Sequence, residues 1–273
     1  MQLGLSTAAF YGRWETEEAA RRIALLGMDC AEAFLQTTSE YDPAFASLVR
    51  DNLGDVPCVS MHPSGIQFEN QMFGRSQRQR RDAFDLFRRA LDAGHALGAR
   101  HYIYHGRSTA LLTPLPFDLE ANIDMVGRMS GEASQRGMDI AWENVSWCQL
   151  TTSGRIAQVR RALPEVRFTL DIKQAMRAGE DPVEMARAMG SSLVHVHVCD
   201  WDEVGKLCLP GEGCFDFLKL VSVLREMEYG GSIILEPYLA LIRSDEALLA
   251  SIAHLRKVID AADGQEYNTE SWT

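Results

Sequence analysis

The stretch Ser192–Trp201, SLVHVHVCDW, decides how the rest of the chain is read. Leu193, Val194, Val196 and Val198 give it the β-branched, apolar composition of a strand buried on both faces, yet two imidazoles and a carboxylate interrupt it near its end. Side chains alternate along a strand, so His195 and His197 share a face. The strand end is therefore expected to deliver them, beside Asp200, to one mouth. A hydrogen-bonded pair of core histidines is the other reading of the same ten residues, and the surroundings must decide.

Three further hydrophobic runs finish in a carboxylate: Asp139–Glu143 (DIAWE), Val166–Asp171 (VRFTLD) and Ser232–Glu236 (SIILE). The steps from Glu143 to Asp171, to His197 and to Glu236 are 28, 26 and 39 residues. They bracket the about 31 expected when a (β/α)8 barrel of roughly 250 residues is divided by eight. In a closed barrel all strand ends share one rim, where active sites sit, and three carboxylates gathered there repel unless a cation lies between them. A divalent metal is the simplest neutraliser.

The rest of the chain supplies the missing units. Strands are expected at Gln2–Ser6, Met28–Leu35, Val56–Met61 and Arg100–Tyr104, with Glu32 in the second, His62 just past the third and His105 just past the fourth. Helices are expected over Glu17–Leu26, Pro43–Arg50, Ser76–Leu97, Phe117–Arg136, Thr152–Leu163, Pro182–Met189, Phe215–Met227 and Asp245–Ala262. Asn70–Arg75 reads as a loop, a turn is expected at Pro114/Pro116, and 264–273 reads as a loose polar tail in which Tyr267 and Trp272 are available to pack on a neighbouring copy. Eight β/α pairs without a GxGxxG turn favour an α/β fold of one closed (β/α)8 TIM barrel, a single domain over 1–273, rather than a Rossmann sheet.

Composition narrows the function. With 46% hydrophobic and 24% charged residues, and no apolar run near the ~20 residues of a membrane span, the chain reads as soluble and non-membrane. The start, MQLGLSTAAF, lacks the basic region of a secretory signal, so a cytoplasmic location is expected. A net charge of −11 argues against a nucleic-acid partner. Six cysteines without a CxxC pair are expected to be free core residues, with Cys199 and Cys208 nearest the proposed site.

These residues resemble the xylose isomerase-like TIM barrels, the superfamily of sugar epimerases and isomerases, inosose dehydratases and endonuclease IV. The resemblance runs over nearly the whole chain and is carried by WEN at Trp142–Asn144, LDIKQA at Leu170–Ala175, HVHVCD at His195–Asp200, PGEG at Pro210–Gly213 and ILEP at Ile234–Pro237. It implies that Glu143, Asp171, His197 and Glu236 hold a divalent metal (Mn, Mg, Co or Zn). His62 and His105 match two histidines that, with the first glutamate, hold an additional zinc in endonuclease IV, which makes them candidates for a second metal. The Asp-x-His step of that enzyme is absent, Gly205–Leu207 standing in its place. Where ketose 3-epimerases carry a histidine, an arginine and a second glutamate to grip a free ketohexose, this chain has Gln174, Glu203 and Gln149.

The expected activity is isomerisation or epimerisation of a small polyhydroxylated carbonyl compound through an enediolate, with Glu143 and Glu236 as proton carriers and a small carbohydrate as partner. His62, His105, Lys173, Gln174, His195, Trp147 and Trp201 are expected to touch substrate. Trp14, Phe68, Phe73 and Tyr238 are further candidates for an aromatic wall, and Arg107 and Lys206 for a phosphate. Dehydration by the same centre, abasic-site cleavage and a non-catalytic binding barrel are the alternatives.

Overall fold

The computed structural model describes residues 1–65, 68–109 and 116–265. Eight parallel strands close into a barrel: β1 (Gln2–Ser6), β2 (Cys30–Leu35), β3 (Cys58–Pro63), β4 (His101–Tyr104), β5 (Asp139–Glu143), β6 (Arg167–Asp171), β7 (Leu193–Val198) and β10 (Ser232–Leu235). Each pairs with its sequence neighbour, and β10 closes the ring on β1 with Leu5 opposite Leu235. Between them lie α1 (Thr16–Ala24), α2 (Pro43–Leu53), α3 (Glu69–Met72), α4 (Gln77–Leu97), α5 (Leu119–Ser134), α6 (Ser153–Ala162), α7 (Ile172–Arg177), α8 (Pro182–Met189), α9 (Phe217–Glu226) and α10 (Asp245–Gln265). This is a (β/α)8 TIM barrel.

Local chemistry sets the helix ends. Asp42 and Asp181 accept the first free amides of α2 and α8, each with proline at the first position, while Ser76, Asp118, Thr152 and Asp216 cap α4, α5, α6 and α9. Gly98 closes α4 at φ 81°, a left-handed conformation that suits glycine. Inward stripes such as Ala83, Phe87, Ala90, Leu91 and Leu97 on α4 pack against the strands.

Three departures from the sequence reading bear on the site. Asn70–Arg75 is not wholly loop: α3 makes a turn there because Phe68 and Met72, four residues apart, both bury. Helix α7 springs directly from β6, capped by Asp171 itself, whose Oδ1 accepts the Gln174 amide at 2.9 Å. After β7 the chain forms a small antiparallel hairpin, β8 (Asp200–Trp201) with β9 (Leu207–Cys208), outside the barrel. The Pro114 part of the expected turn and the tail residues Tyr267 and Trp272 lie outside the described residues. Among the described residues no helix is long and apolar enough to cross a membrane.

Candidate metal centre

The C-terminal rim of the barrel carries the charged side chains. Register places Asp171 opposite His197, and His197 opposite Ile234, so that Glu236 follows two residues beyond on the same face. The backbone reinforces this corner. The Asn144 side chain accepts the Asp171 amide at 2.7 Å and donates to its carbonyl at 2.9 Å, clamping the ends of β5 and β6 together.

One ligand atom each from Glu143, Asp171, His197 and Glu236 lie within 4.8 Å of one another. His197 Nδ1 faces Glu143 Oε1 at 3.2 Å and Glu236 Oε2 at 3.6 Å. Lys173, on the first turn of α7, is 4% exposed and places its ammonium 3.2 Å from Asp171 Oδ2 and 3.0 Å from Glu236 Oε2, over the Tyr238 ring. On the other flank His62 and His105 meet through their Nε2 atoms at 3.0 Å, and Glu143 Oε2 lies 3.1 Å from His105 Nε2 and 3.7 Å from His62 Nε2. His62 Nδ1 donates to the Pro63 carbonyl at 3.0 Å, which turns its Nε2 towards Glu143.

The electrostatics follow from this packing. Burial pushes the Asp171 carboxyl up to about 6, against the pull of Lys173. Burial also works against ionisation of Glu143 and Glu236, but the imidazoles of His105, His197 and His62 outweigh it at Glu143, and Lys173 and His197 outweigh it at Glu236. Both carboxyls stay below their usual range. His62 goes the other way: burial opposes its charge, yet Glu143 raises its imidazole to about 9. Asp171 Oδ2 is buried and accepts no hydrogen bond, so three convergent carboxylates have one ammonium among them. A divalent cation fits this donor set of oxygens and one imidazole nitrogen.

A family model described as a xylose isomerase-like TIM barrel matches residues 20–258. The chain belongs to that family. A crystal structure of a D-tagatose 3-epimerase-like protein superposes with a TM-score of 0.79 at 17% identity, covering 97% of this chain and 100% of that one, which shows a shared fold. Among curated proteins, an uncharacterized protein of Mycobacterium leprae (strain TN) is 34% identical over 79 residues, and the match spans 28% of its length and 28% of this chain. Inosose dehydratase of Geobacillus kaustophilus (strain HTA426) is 25% identical over 137 residues, 43% of this chain and 44% of that protein.

Within this family fold the sequence-selected residues divide. A cavity of about 230 Å³ at the rim is lined by His62, His105, Glu143, Trp147, Asp171, Lys173, Gln174 and Glu236, together with Tyr238. His195 does not reach it. It points inward like His197 but sits one tier lower, because two residues advance a strand by about 6.6 Å, and its Nε2 is bonded to Glu32 at 3.0 Å. Trp201 is also elsewhere, in the β8–β9 hairpin against Phe215. Asp200, expected at the same mouth as the histidines, instead accepts the amides of Trp201, Gly211, Gly213 and Phe215 and so ties down the following loop. That close wrapping requires glycine at Gly213, where a Cβ would collide with Asp200 and the Trp201 carbonyl.

Of the other candidates, Phe68 is buried in the core, Phe73 lies under Arg107, and Lys206 belongs to the hairpin turn. Gln149 accepts from the Asn122 amide and donates to the Pro116 carbonyl, and Glu203 is exposed in the hairpin, so neither lines the cavity. Burial raises the Cys199 thiol to about 12, which keeps it protonated. The sequence reading missed Tyr11 and Phe34, which complete the cavity wall, although both lie at the same rim and Phe34 is two residues beyond inward-facing Glu32.

Proposed function

We propose that this protein is a divalent-metal-dependent isomerase or epimerase of a small, polyhydroxylated carbonyl compound. The reading rests on one observation: ligand atoms of Glu143, Asp171, His197 and Glu236 converge to within 4.8 Å, and the three carboxylates of that group line a rim cavity. At about 230 Å³ that cavity is smaller than the roughly 300–1,000 Å³ usual for drug-sized ligands. A compound of monosaccharide size suits it. The aromatic faces of Tyr11, Phe34, Trp147 and Tyr238 supply the apolar wall against which a sugar ring shields its C–H face.

A cation held by Glu143, Asp171, His197 and Glu236 would polarise the substrate carbonyl and so acidify the neighbouring carbon. Glu236, ionised and steered by Lys173, takes that proton. Glu143 stands on the opposite flank, beside the charged imidazole of His62 and against His105, which supply it with a proton to return to the enediolate from the other side. His62, His105 and Gln174 also offer hydrogen bonds to substrate hydroxyls. A second ion among His62, His105 and Glu143, whose ligand atoms also lie within 4.8 Å, is the competing use of those histidines, and elemental analysis of His62→Ala and His105→Ala against wild type separates the two.

Dehydration is the second reading, favoured by the similarity to inosose dehydratase and by Gln149, Gln174 and Glu203 at the positions that grip a ketohexose in the epimerases. Both readings begin with the same deprotonation. Incubating the metal-loaded protein with ketoses, inososes and sugar acids in deuterated water should place deuterium beside a carbonyl in at least one compound, and loss of water from that compound marks the lyase. Glu236→Gln should lower the exchange by about 10²–10⁴-fold while metal is retained. Exchange at the wild-type rate in this variant would remove Glu236 as the base.

A further inference from the structure

Beneath the four-residue cluster the barrel interior is polar where such barrels are ordinarily filled by bulky branched residues. Glu32 of β2, Ser60 of β3, Thr169 of β6 and His195 of β7 are all fully buried there. Glu32 is the centre of this tier. Its Oε2 accepts from His197 Nε2 at 3.0 Å, from His195 Nε2 at 3.0 Å and from Ser60 Oγ at 2.8 Å. A carboxylate shut away from water costs several kcal/mol, and nothing in the packing of a barrel requires one. The tier therefore asks for a reason beyond the fold.

The reason lies in which His197 nitrogen meets which neighbour. A neutral imidazole carries one N–H and one lone pair, and the partner of one nitrogen sets the state of the other. At Nε2 stands a carboxylate that can only accept, so the N–H is held there. Nδ1 also meets an acceptor, Glu143 Oε1 at 3.2 Å with Glu236 Oε2 at 3.6 Å, but these are the ligand atoms that converge, so a cation among them would take the place of the Nδ1 proton while Nε2 keeps its own against Glu32. His195 and Ser60 in turn fix the carboxylate, and His195 cannot substitute for Glu32 because its Nε2 is already spent on it.

We propose that Glu32 is the positioning residue of the metal centre: it fixes the ring plane and tautomer of His197, so that Nδ1 is the nitrogen offered to the cation. The proposal rests on the reading of His197 as a ligand. It assigns a role to a residue 165 positions away in the chain from the side chain it orients.

The test uses zinc and the full chain labelled with ¹⁵N-histidine. Long-range ¹H–¹⁵N correlation of the zinc-loaded protein should show His197 with zinc on Nδ1 and a slowly exchanging proton on Nε2. Zinc on Nε2, or a ring coordinated at both nitrogens by a second ion between Glu32, His195 and His197, would overturn the proposal without any substitution being made. Glu32→Gln, which keeps the shape and removes the charge, should weaken zinc and cobalt binding about 10–100-fold and alter the cobalt absorption spectrum. Thr169→Val, which changes a polar side chain of the same tier whose Oγ1 makes no hydrogen bond, should leave affinity within about threefold. Equal affinities in wild type and Glu32→Gln would sink the positioning role, whereas a wild-type protein that binds neither ion would remove the metal centre itself and this role with it.

Discussion

The two mouths of the barrel differ in a way that size alone misjudges. The N-terminal mouth opens into a cavity of about 770 Å³, the C-terminal one into about 230 Å³. The larger is lined by glycines and strand starts, among them Gly98, Gly190, Gly230 and Gly231, and by His101. Burial, the neighbouring His195 and the guanidinium groups of Arg100 and Arg167 drive the His101 imidazole down to about 3. At the smaller mouth Glu143 drives His62 up to about 9 in spite of burial. One residue type thus takes opposite charge states at the two ends of one barrel. Titratable groups gather where β-strands end in acids, and volume is no guide to them.

The largest effect on the C-terminal mouth is expected at Lys173. Lys173→Met removes the ammonium that offsets Asp171 and Glu236, leaving the buried Asp171 without its nearest counter-charge and Glu236 with His197 alone, and breaking such a pair typically costs about 3–5 kcal/mol. Denaturant unfolding of the metal-free variant should show that loss, and manganese should restore more stability to it than it adds to wild type. An unchanged metal-free midpoint would mean that the C-terminal mouth is not held together by charge.

Ligand loss comes next. Asp171→Ala or His197→Ala should weaken manganese or zinc binding by more than about 100-fold, beyond the roughly 10–100-fold expected of an outer partner such as Glu32. His101→Gln, at the opposite mouth, should leave it within about twofold. Calorimetric titration reads both. Stoichiometric metal retained in both rim variants would show the site to be elsewhere.

The smallest effect is the pH dependence of the metal-free protein, where the two mouths should have opposite signs. His62 is raised above its ordinary 6.5, so its contribution is fully present below pH 6.5 and fades as the pH rises through about 9. His101 is lowered, so the folded state resists a proton that the unfolded chain takes up, and wild type loses stability as the pH falls from 6.5 towards about 3. The stability gap between wild type and His62→Gln should close above pH 9, and His101→Gln should gain on wild type in acid. Two gaps flat with pH would erase the contrast.

How much of this was legible in the chain follows from the range of each interaction. The strand ends at Glu143, Asp171 and His197 and the acid just past β10, Glu236, could be read because alternation and β/α spacing are local, and a closed barrel must bring consecutive strand ends to one rim. Helix starts at Pro43 and Pro182 could be read from the prolines themselves, which favour the first helical position. Depth could not. His195 and His197 share a face, and only the closed ring shows that one step along the strand separates the rim from the interior tier.

The same holds for Glu32, one acid among many in the chain until β2 and β7 face each other across the barrel. Sequence by itself determined the fold, the convergence of Glu143, Asp171 and Glu236 with a histidine of β7, and the acidic character of the rim, since these depend on periodicity and on the kinds of residue that end each strand. Tertiary structure decided which histidine joins the three carboxylates, that Lys173 folds back between two acids, and that Asp200 and Trp201 turn away. Those outcomes are set by ring closure, by strand register and by a helix that begins on Asp171, none of which has a counterpart in any short window of the chain.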